Sequence, residues 1–366
     1  MILSGQYAAG KSQPLEQPER IRLTLGRRPI ATGGASGNVA DVTDDAVIPP
    51  FASLPRLPGN GVQHAWDAWG PGDNLGTLNR LTGPAVAAAA GCVRTGERIG
   101  VSLPLGLPDP PFFGRKAFRH HFVPMGPTAW DDWVDGFYLQ CSSQWDGLRH
   151  VGSPDGWYGG WRGQPSDDPE PLGIHHWAER GIVGRGVLVD LAAHAARTAG
   201  GGADGGYDPF TRVTFRPDDL SAALNAQGVA LRGGDILCVR TGWTDKYLTL
   251  DAAARNALAD GMQSVSGYAA AGLAGSQEMA GFLWDSGIAA VACDNPAVEV
   301  VPADPADGFL HGRLIAGLGM AIGELFSFGA LADACRREGR YDFLFVSVPL
   351  NVTGAVGSPG NAVAVL

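Results

Sequence analysis

The 366-residue sequence is poor in charge, poor in long apolar runs and without any closely spaced cysteine pair. Only 17% of its residues are Asp, Glu, Lys or Arg, against 45% hydrophobic, which excludes a disordered or coiled-coil chain. No apolar run, Gly287 to Cys293 among them, approaches the roughly 18 residues of a membrane span. No membrane partner is therefore expected. The cysteines Cys92, Cys141, Cys238, Cys293 and Cys335 are scattered and form no C-x-x-C, the pattern of a reduced, cytoplasmic protein. The first residues, from Met1 to Gln13, lack the apolar stretch of a signal peptide, so the Asn351-Val352-Thr353 sequon is expected to stay unglycosylated. A formal charge of −10 argues against nucleic acid as a partner.

What the sequence has in excess is 54 Gly and 26 Pro, which implies a loop-rich protein, and loops are where sites are built. A chain of this length buries about three quarters of its unfolded surface and needs no disulfides. Residues 1–60 read as a Pro-rich arm, partly irregular, and 61–366 as one catalytic domain. The arm contains Gly5-Gln6-Tyr7-Ala8-Ala9-Gly10-Lys11-Ser12, which matches the phosphate-loop pattern. A phosphate loop needs a strand before it and a helix after it. Here only four residues precede the match and Pro14 follows, so the reading is rejected.

Beyond the arm the texture is α/β with a mixed sheet. Thr82 and Pro84 mark the start of a helix running through Ala85–Ala90. Strands are expected over Ile99–Leu105, Val187–Leu191, Ile236–Arg240, Ala289–Cys293 and Phe343–Pro349. Helices are expected over Pro217–Gln227, ending at Gly228, over Ser276–Ser286, and around Leu310–Ala316. The glycine stretch Gly200–Gly206 reads as a surface loop. Eight of ten Trp lie between Trp66 and Trp177. They serve either as core and lid packing or as the wall of a pocket for a flat or apolar substrate.

The sequence has no H-E-x-x-H and no G-x-S-x-G, and Gly317 to Gly323 misses the dinucleotide spacing. The informative stretch is Leu139-Gln140-Cys141-Ser142-Ser143-Gln144-Trp145-Asp146-Gly147-Leu148-Arg149-His150. In an extended segment Gln140, Gln144, Asp146 and His150 share one face. A carboxylate and an imidazole converging there can hold a metal or form an oriented base. By spacing alone a solvated polar face is equally consistent. The tandem pairs His120-His121 and His175-His176 read as structural.

This stretch resembles the metal-binding motif of the cyclase family, which includes bacterial kynurenine formamidase and isatin hydrolase. In the pattern H-x-G-T-H-x-D-x-P-x-H, Asp146 and His150 match the Asp and the last His. Gln140 and Gln144 stand at the two earlier His positions, Ser142 and Ser143 at the Gly-Thr pair, and Leu148 at the Pro. Further segments resemble a longer-chain branch of the family: Trp69-Gly70-Pro71 with Asp73 to Asn79, Gly181 to Leu188 with Asp190, and Val239 to Trp243. At the end of the chain, His311, Glu324, Val348-Pro349-Leu350 and Gly357-Ser358-Pro359 resemble the family's closing pattern. Together they cover about residues 65–366.

The resemblance implies the layered, swivelling β/β/α cyclase fold with a mixed sheet. It implies a Zn or Mn site on Asp146, His311 and Glu324, with His150 as general base and Asp146 orienting it. Beside these, Gln140, Gln144, Trp145 and Trp157 are candidate substrate contacts, and Arg149, flanking the motif, is a candidate to pair with a substrate carboxylate or, equally, to form a surface ion pair. The implied reaction is hydrolysis of an amide, lactone or cyclic imide in an aromatic or apolar small molecule. Because Gln140 and Gln144 replace two imidazoles, a metal-free site is the alternative. It suits a cyclase, dehydratase or isomerase acting on a polyketide-like or aromatic natural-product intermediate. A homo-oligomer is expected.

Overall fold

The computed structural model describes residues 48–198, 206–263 and 267–366, and residues 48–366 form one compact unit. Residues 1–47, with the phosphate-loop look-alike, and 199–205 of the glycine stretch lie outside the described residues. Residues 48–60, expected as the end of the arm, pack onto the unit. Phe51, Leu54 and Leu57 are buried, and Phe51 N donates to Asp285 Oδ1 at 2.7 Å.

The strands in chain order are β1 (Arg98–Gly100), β2 (Arg119–Gly126), β3 (Ala129–Asp135), β4 (Gln144–Asp146), β5 (Ile182–Asp190), β6 (Thr214–Phe215), β7 (Ile236–Arg240), β8 (Gly272–Leu273), β9 (Ala290–Cys293), β10 (Ala321–Glu324), β11 (Asp342–Ser347), β12 (Gly357–Pro359) and β13 (Ala362–Val365). Nine of them form one mixed sheet in the order β1-β13-β11-β5-β7-β9-β10-β4-β12. Its centre, β5-β7-β9-β10, is parallel, and both wings are antiparallel. The central strands are continuous apolar runs because both faces are covered. One face packs Val187, Val239, Val291 and Ile322 under Met279, Leu283 and Leu314. The other packs Leu188, Cys238, Ala292 and Phe345 under Phe328, Leu331 and Cys335.

The local signals read from sequence act as expected where short-range chemistry dominates. Thr82 caps the helix Gly83–Ala90 by accepting from Ala85 N. The helix Pro217–Gln227 begins with Pro217, is boxed by Asp219 on Arg216 N, and ends at Gly228 with φ 66°. Ser276 caps Gln277–Asp285. The expected strand at Ile99–Leu105 stops at Gly100, and only Ser102 pairs further on, with Phe326. Around Leu310–Ala316 the chain forms a π-helical turn, Gly312–Gly317, entered at His311. No helix among the described residues is long and apolar enough to cross a membrane.

Candidate active site

Three sheet positions build the floor of the site. On β4, Gln144 and Asp146 point to one face and Trp145 to the other, as strand alternation requires. Glu324 on β10 lies directly opposite Gln144, and Gly357 on β12 directly opposite Asp146. The shared face thus carries Gln144, Asp146 and Glu324 together. The π-helical turn brings His311 over this floor, and the segment after β9 brings Glu299 behind His311.

The geometry centres on His311. Its Nδ1 lies 2.9 and 2.8 Å from the two carboxylate oxygens of Glu299. Its Nε2 lies 3.0 Å from Glu324 Oε1 and 3.9 Å from Asp146 Oδ2. Asp146 Oδ1 is 3.8 Å from His150 Nε2 on the other side. Gln144 Nε2 donates to Glu324 Oε2 at 2.9 Å and to Asp146 Oδ1 at 3.2 Å. Asp146, Glu299, Glu324 and His311 are all buried, whereas the His150 side chain is 27% exposed and forms the rim. Phe309 stacks on the His311 ring at 5.1 Å and faces solvent.

Three buried carboxylates around one imidazole leave a negative excess, which is costly in a desolvated site. The titration tendencies follow from that excess. Burial opposes charging His311, but Glu299 and Glu324 outweigh it and hold the ring well above its ordinary value. Burial, then repulsion from Asp146, pushes the Glu324 carboxyl up to about 7 against the pull of His311. Two acceptors, Gln144 Oε1 and Glu324 Oε1, are buried without a hydrogen bond; the 3.0 Å approach of His311 to the latter is poorly aligned. Tyr268 is buried alongside, and burial followed by the Glu324 and Glu299 charges raises its phenol.

The donor set fits a divalent cation. Atoms of Asp146, His150 and His311 lie within 4.8 Å of one another, and Glu324 reaches the same His311 nitrogen. Glu299 on Nδ1 leaves Nε2 as the ligating atom, the usual way a carboxylate orients a metal-bound histidine. A cation would also offset the negative excess and engage the unpaired Glu324 Oε1. It would compete with the His311 proton for one lone pair.

Of the residues expected from sequence, Asp146, His150, His311, Glu324 and Gln144 converge. The Gln140 side chain packs over Gly357, on the Asp146 face, with its amide nitrogen buried and unpartnered. Trp145 is not at the site. It is fully buried on the opposite face, donating to Ser347 Oγ at 2.8 Å and meeting Phe326 edge-on. Arg149 does not face a substrate carboxylate. Its guanidinium is bound by the carbonyls of Pro165, Asp168, Pro171 and Gly354 and lies over Trp161. Trp157 donates to Gly163 O and packs against Gly152, behind the turn that carries His150. The tryptophans do not form one pocket wall: Trp177 is core, Trp66 bonds Ala316 O, and Trp130 and Trp133 are exposed on the β2–β3 hairpin. Glu299 and Phe309 were not anticipated. Neither belongs to the resembling segments; only the fold brings Glu299 to His311, while Phe309 stacks on it from two residues earlier.

The comparisons agree with this architecture. The sequence model of the cyclase family matches residues 105–300. A crystal structure described as a novel cyclase is 30% identical, with a TM-score of 0.70, over 83% of this chain and 99% of its own. The chain belongs to the cyclase family. Proteins with more distant sequences share the fold. Isatin hydrolase A from Labrenzia aggregata, bound to benzyl benzoate, is 18% identical at a TM-score of 0.51, over 79% of this chain and 98% of its own. Isatin hydrolase A from Ralstonia solanacearum is 17% identical at 0.51, over 77% and 95%. No curated protein sequence matches the chain. Within the cyclase fold the segment Asp73 to Asn79 is structural: Asp73 accepts from Gly76 N and Tyr158 Oη, while Thr77 N donates to Gly319 O.

Proposed function

We propose that this cyclase-family protein hydrolyses an amide, lactone or cyclic imide bond in a small apolar or aromatic molecule. The observation that carries the reading is His311, fixed through Nδ1 by Glu299 with Nε2 turned toward Glu324 and Asp146. In this reading Asp146, His311 and Glu324 hold a Zn or Mn ion. The bound ion supplies polarisation of the substrate carbonyl and acidification of water. His150, at the rim, accepts the proton of the attacking water and returns it to the leaving nitrogen or oxygen. The Asp146 oxygen facing it favours the imidazolium formed midway. The unpaired Gln140 amide is available to a substrate oxygen, and the exposed Phe309 offers an apolar wall beside His311.

One observation favours a second reading. The Gln144 amide donates to both Asp146 and Glu324, so it satisfies part of the carboxylate cluster without any cation. A metal-free site would run proton-transfer chemistry, a cyclisation, dehydration or isomerisation, between His150 and Glu324. With both carboxylates on its nitrogen, Gln144 is not a free oxyanion donor, and Gln140 alone would serve. The test is turnover of a panel of aryl amides, lactones and cyclic imides, followed by proton release with and without chelator. Hydrolysis abolished by chelator and restored by Zn or Mn supports the first reading. Chelator-resistant conversion without water uptake overturns it in favour of the second.

A further inference from the structure

We propose that Arg115 binds a carboxylate carried by the substrate, at the wall of the site beside Gln140. The inference rests on the reading above for the location of the site and adds the substrate class: an aryl compound bearing an acid group apart from the bond that reacts.

Arg115 lies in the segment that leads into the β2–β3 hairpin, and its Nη1 donates to the carbonyl of Gln140, in the segment that leaves it. Gln140 connects this point to the chemistry. Its amide packs where a Cβ on Gly357 would stand, and Gly357 lies directly opposite Asp146. Opposed residues of an antiparallel pair project to one face, with Cβ atoms about 5 Å apart. The Gln140 amide therefore lies next to the Asp146 side chain, and Arg115 is anchored at the main-chain end of the same residue. Tyr268 connects the two from another direction. Its ring meets Phe113 at 6.0 Å, and the Arg115 guanidinium lies 5.2 Å over Phe113. Burial, then Glu324 and Glu299, push the Tyr268 phenol up, whereas Arg115 pulls it down, so the phenol is within reach of both the carboxylate cluster and this cation.

The cation is half-buried, and among the described residues it forms no ion pair. Arg185 and Arg240, by contrast, are each held by two aspartates. One bond to a carbonyl leaves most of the guanidinium donors unused. Removing a cation from water without an anion is costly, and a partner that arrives with the ligand would offset that cost. The backbone beneath it is held unusually: Phe113 has φ 59°, a left-handed conformation that bulky side chains rarely adopt, and its N–H is fixed on Met262 O. Such strain persists where the surroundings impose it, and here it sets the ring under the guanidinium.

The charges select the anion. The planar guanidinium fork matches a carboxylate with two parallel hydrogen bonds. Asp146, Glu299 and Glu324 are buried nearby, so a phosphate would bring about two negative charges toward them against a single cation. A carboxylate on Arg115 brings one charge, compensated where it binds, and leaves the other end of the ring for Asp146 and His150.

The experiment is titration calorimetry of the full chain with 4-carbamoylbenzoate and with its neutral counterpart terephthalamide. The natural protein should bind the acid at least about tenfold more tightly, the usual gain from hydrogen bonds to a charged group. Arg115→Gln keeps a donor for the Gln140 carbonyl and should bring the ratio to about one, with terephthalamide affinity unchanged. Equal affinities in the natural protein, or no binding of the acid, overturn the proposal without any variant. A preference that survives in Arg115→Gln overturns it equally, because the acid is then held elsewhere. The measurement needs no turnover, so the absence of hydrolysis would count against the proposed reaction and not against this subsite.

Discussion

Replacing Glu299 by Gln tests the His311 arrangement with little disturbance to the fold. Glu299 is buried, and both its oxygens lie within 2.9 Å of His311 Nδ1. Glutamine keeps the volume and one acceptor for Nδ1–H, so the substitution removes charge while largely preserving orientation. Loss of such an outer carboxylate typically lowers metal affinity about 10–100-fold, or about 1.4–2.8 kcal/mol. Gln should fall toward the lower end of that range. Glu299→Ala, which also frees the ring to rotate, should fall at or beyond the upper end. The assay is competition of the cation-free protein against a fluorescent chelator for Zn, with circular dichroism to confirm the fold. If both variants bind Zn within about threefold of the natural protein, the orienting role assigned to Glu299 is wrong.

Other expectations follow from single features. His150→Ala should lower kcat by about 10²–10⁴-fold with unchanged thermal stability, because the residue lies at the rim and carries the proton; full turnover would remove it from the mechanism. Arg149→Ala leaves several buried carbonyls without a donor, so it should cost at least about 3 kcal/mol in urea unfolding while leaving KM unchanged. A raised KM with normal stability would restore the substrate-contact role. Burial pushes the Asp294 carboxyl up to about 7, against the hydrogen bonds donated by Thr241. The folded state therefore binds this proton more tightly than the unfolded one. Its contribution is fully present below about pH 4 and is lost as pH rises through about 7, by about 4 kcal/mol. Asp294→Asn should flatten that part of the stability profile, and an unchanged slope would assign the effect elsewhere.

How much of this was legible in the sequence depended on the range of the interactions. The helix Pro217–Gln227 and strand Ile236–Arg240 were readable because their caps, proline and apolar runs act within a few residues. Asp146, His311 and Glu324 were found through the family pattern, not through spacing, since sheet pairing and a π-helical turn bring them together from distant parts of the chain. Glu299 carried no local signal: it follows Val298, held at φ 48°, and its meaning lies wholly in the contact with His311. Trp145 and Arg149 were misassigned for one reason. Both flank functional positions in sequence, but alternation turns Trp145 to the opposite face, and the partners of Arg149 come from loops 165–171 and 354. Trp130 and Trp133 read as core or pocket lining, but they lie on a hairpin whose residues are nearly all exposed.

In the proposed reading, the buried carboxylate cluster around His311 holds a divalent cation. Elemental analysis of the purified protein, beside Asp146→Ala, is the decisive measurement. The expected result is about one Zn or Mn per chain in the natural protein, and little in the variant, since Asp146 is one of three proposed ligands. A natural protein without bound metal, taking up none from added Zn or Mn and fully active in chelator, would contradict it.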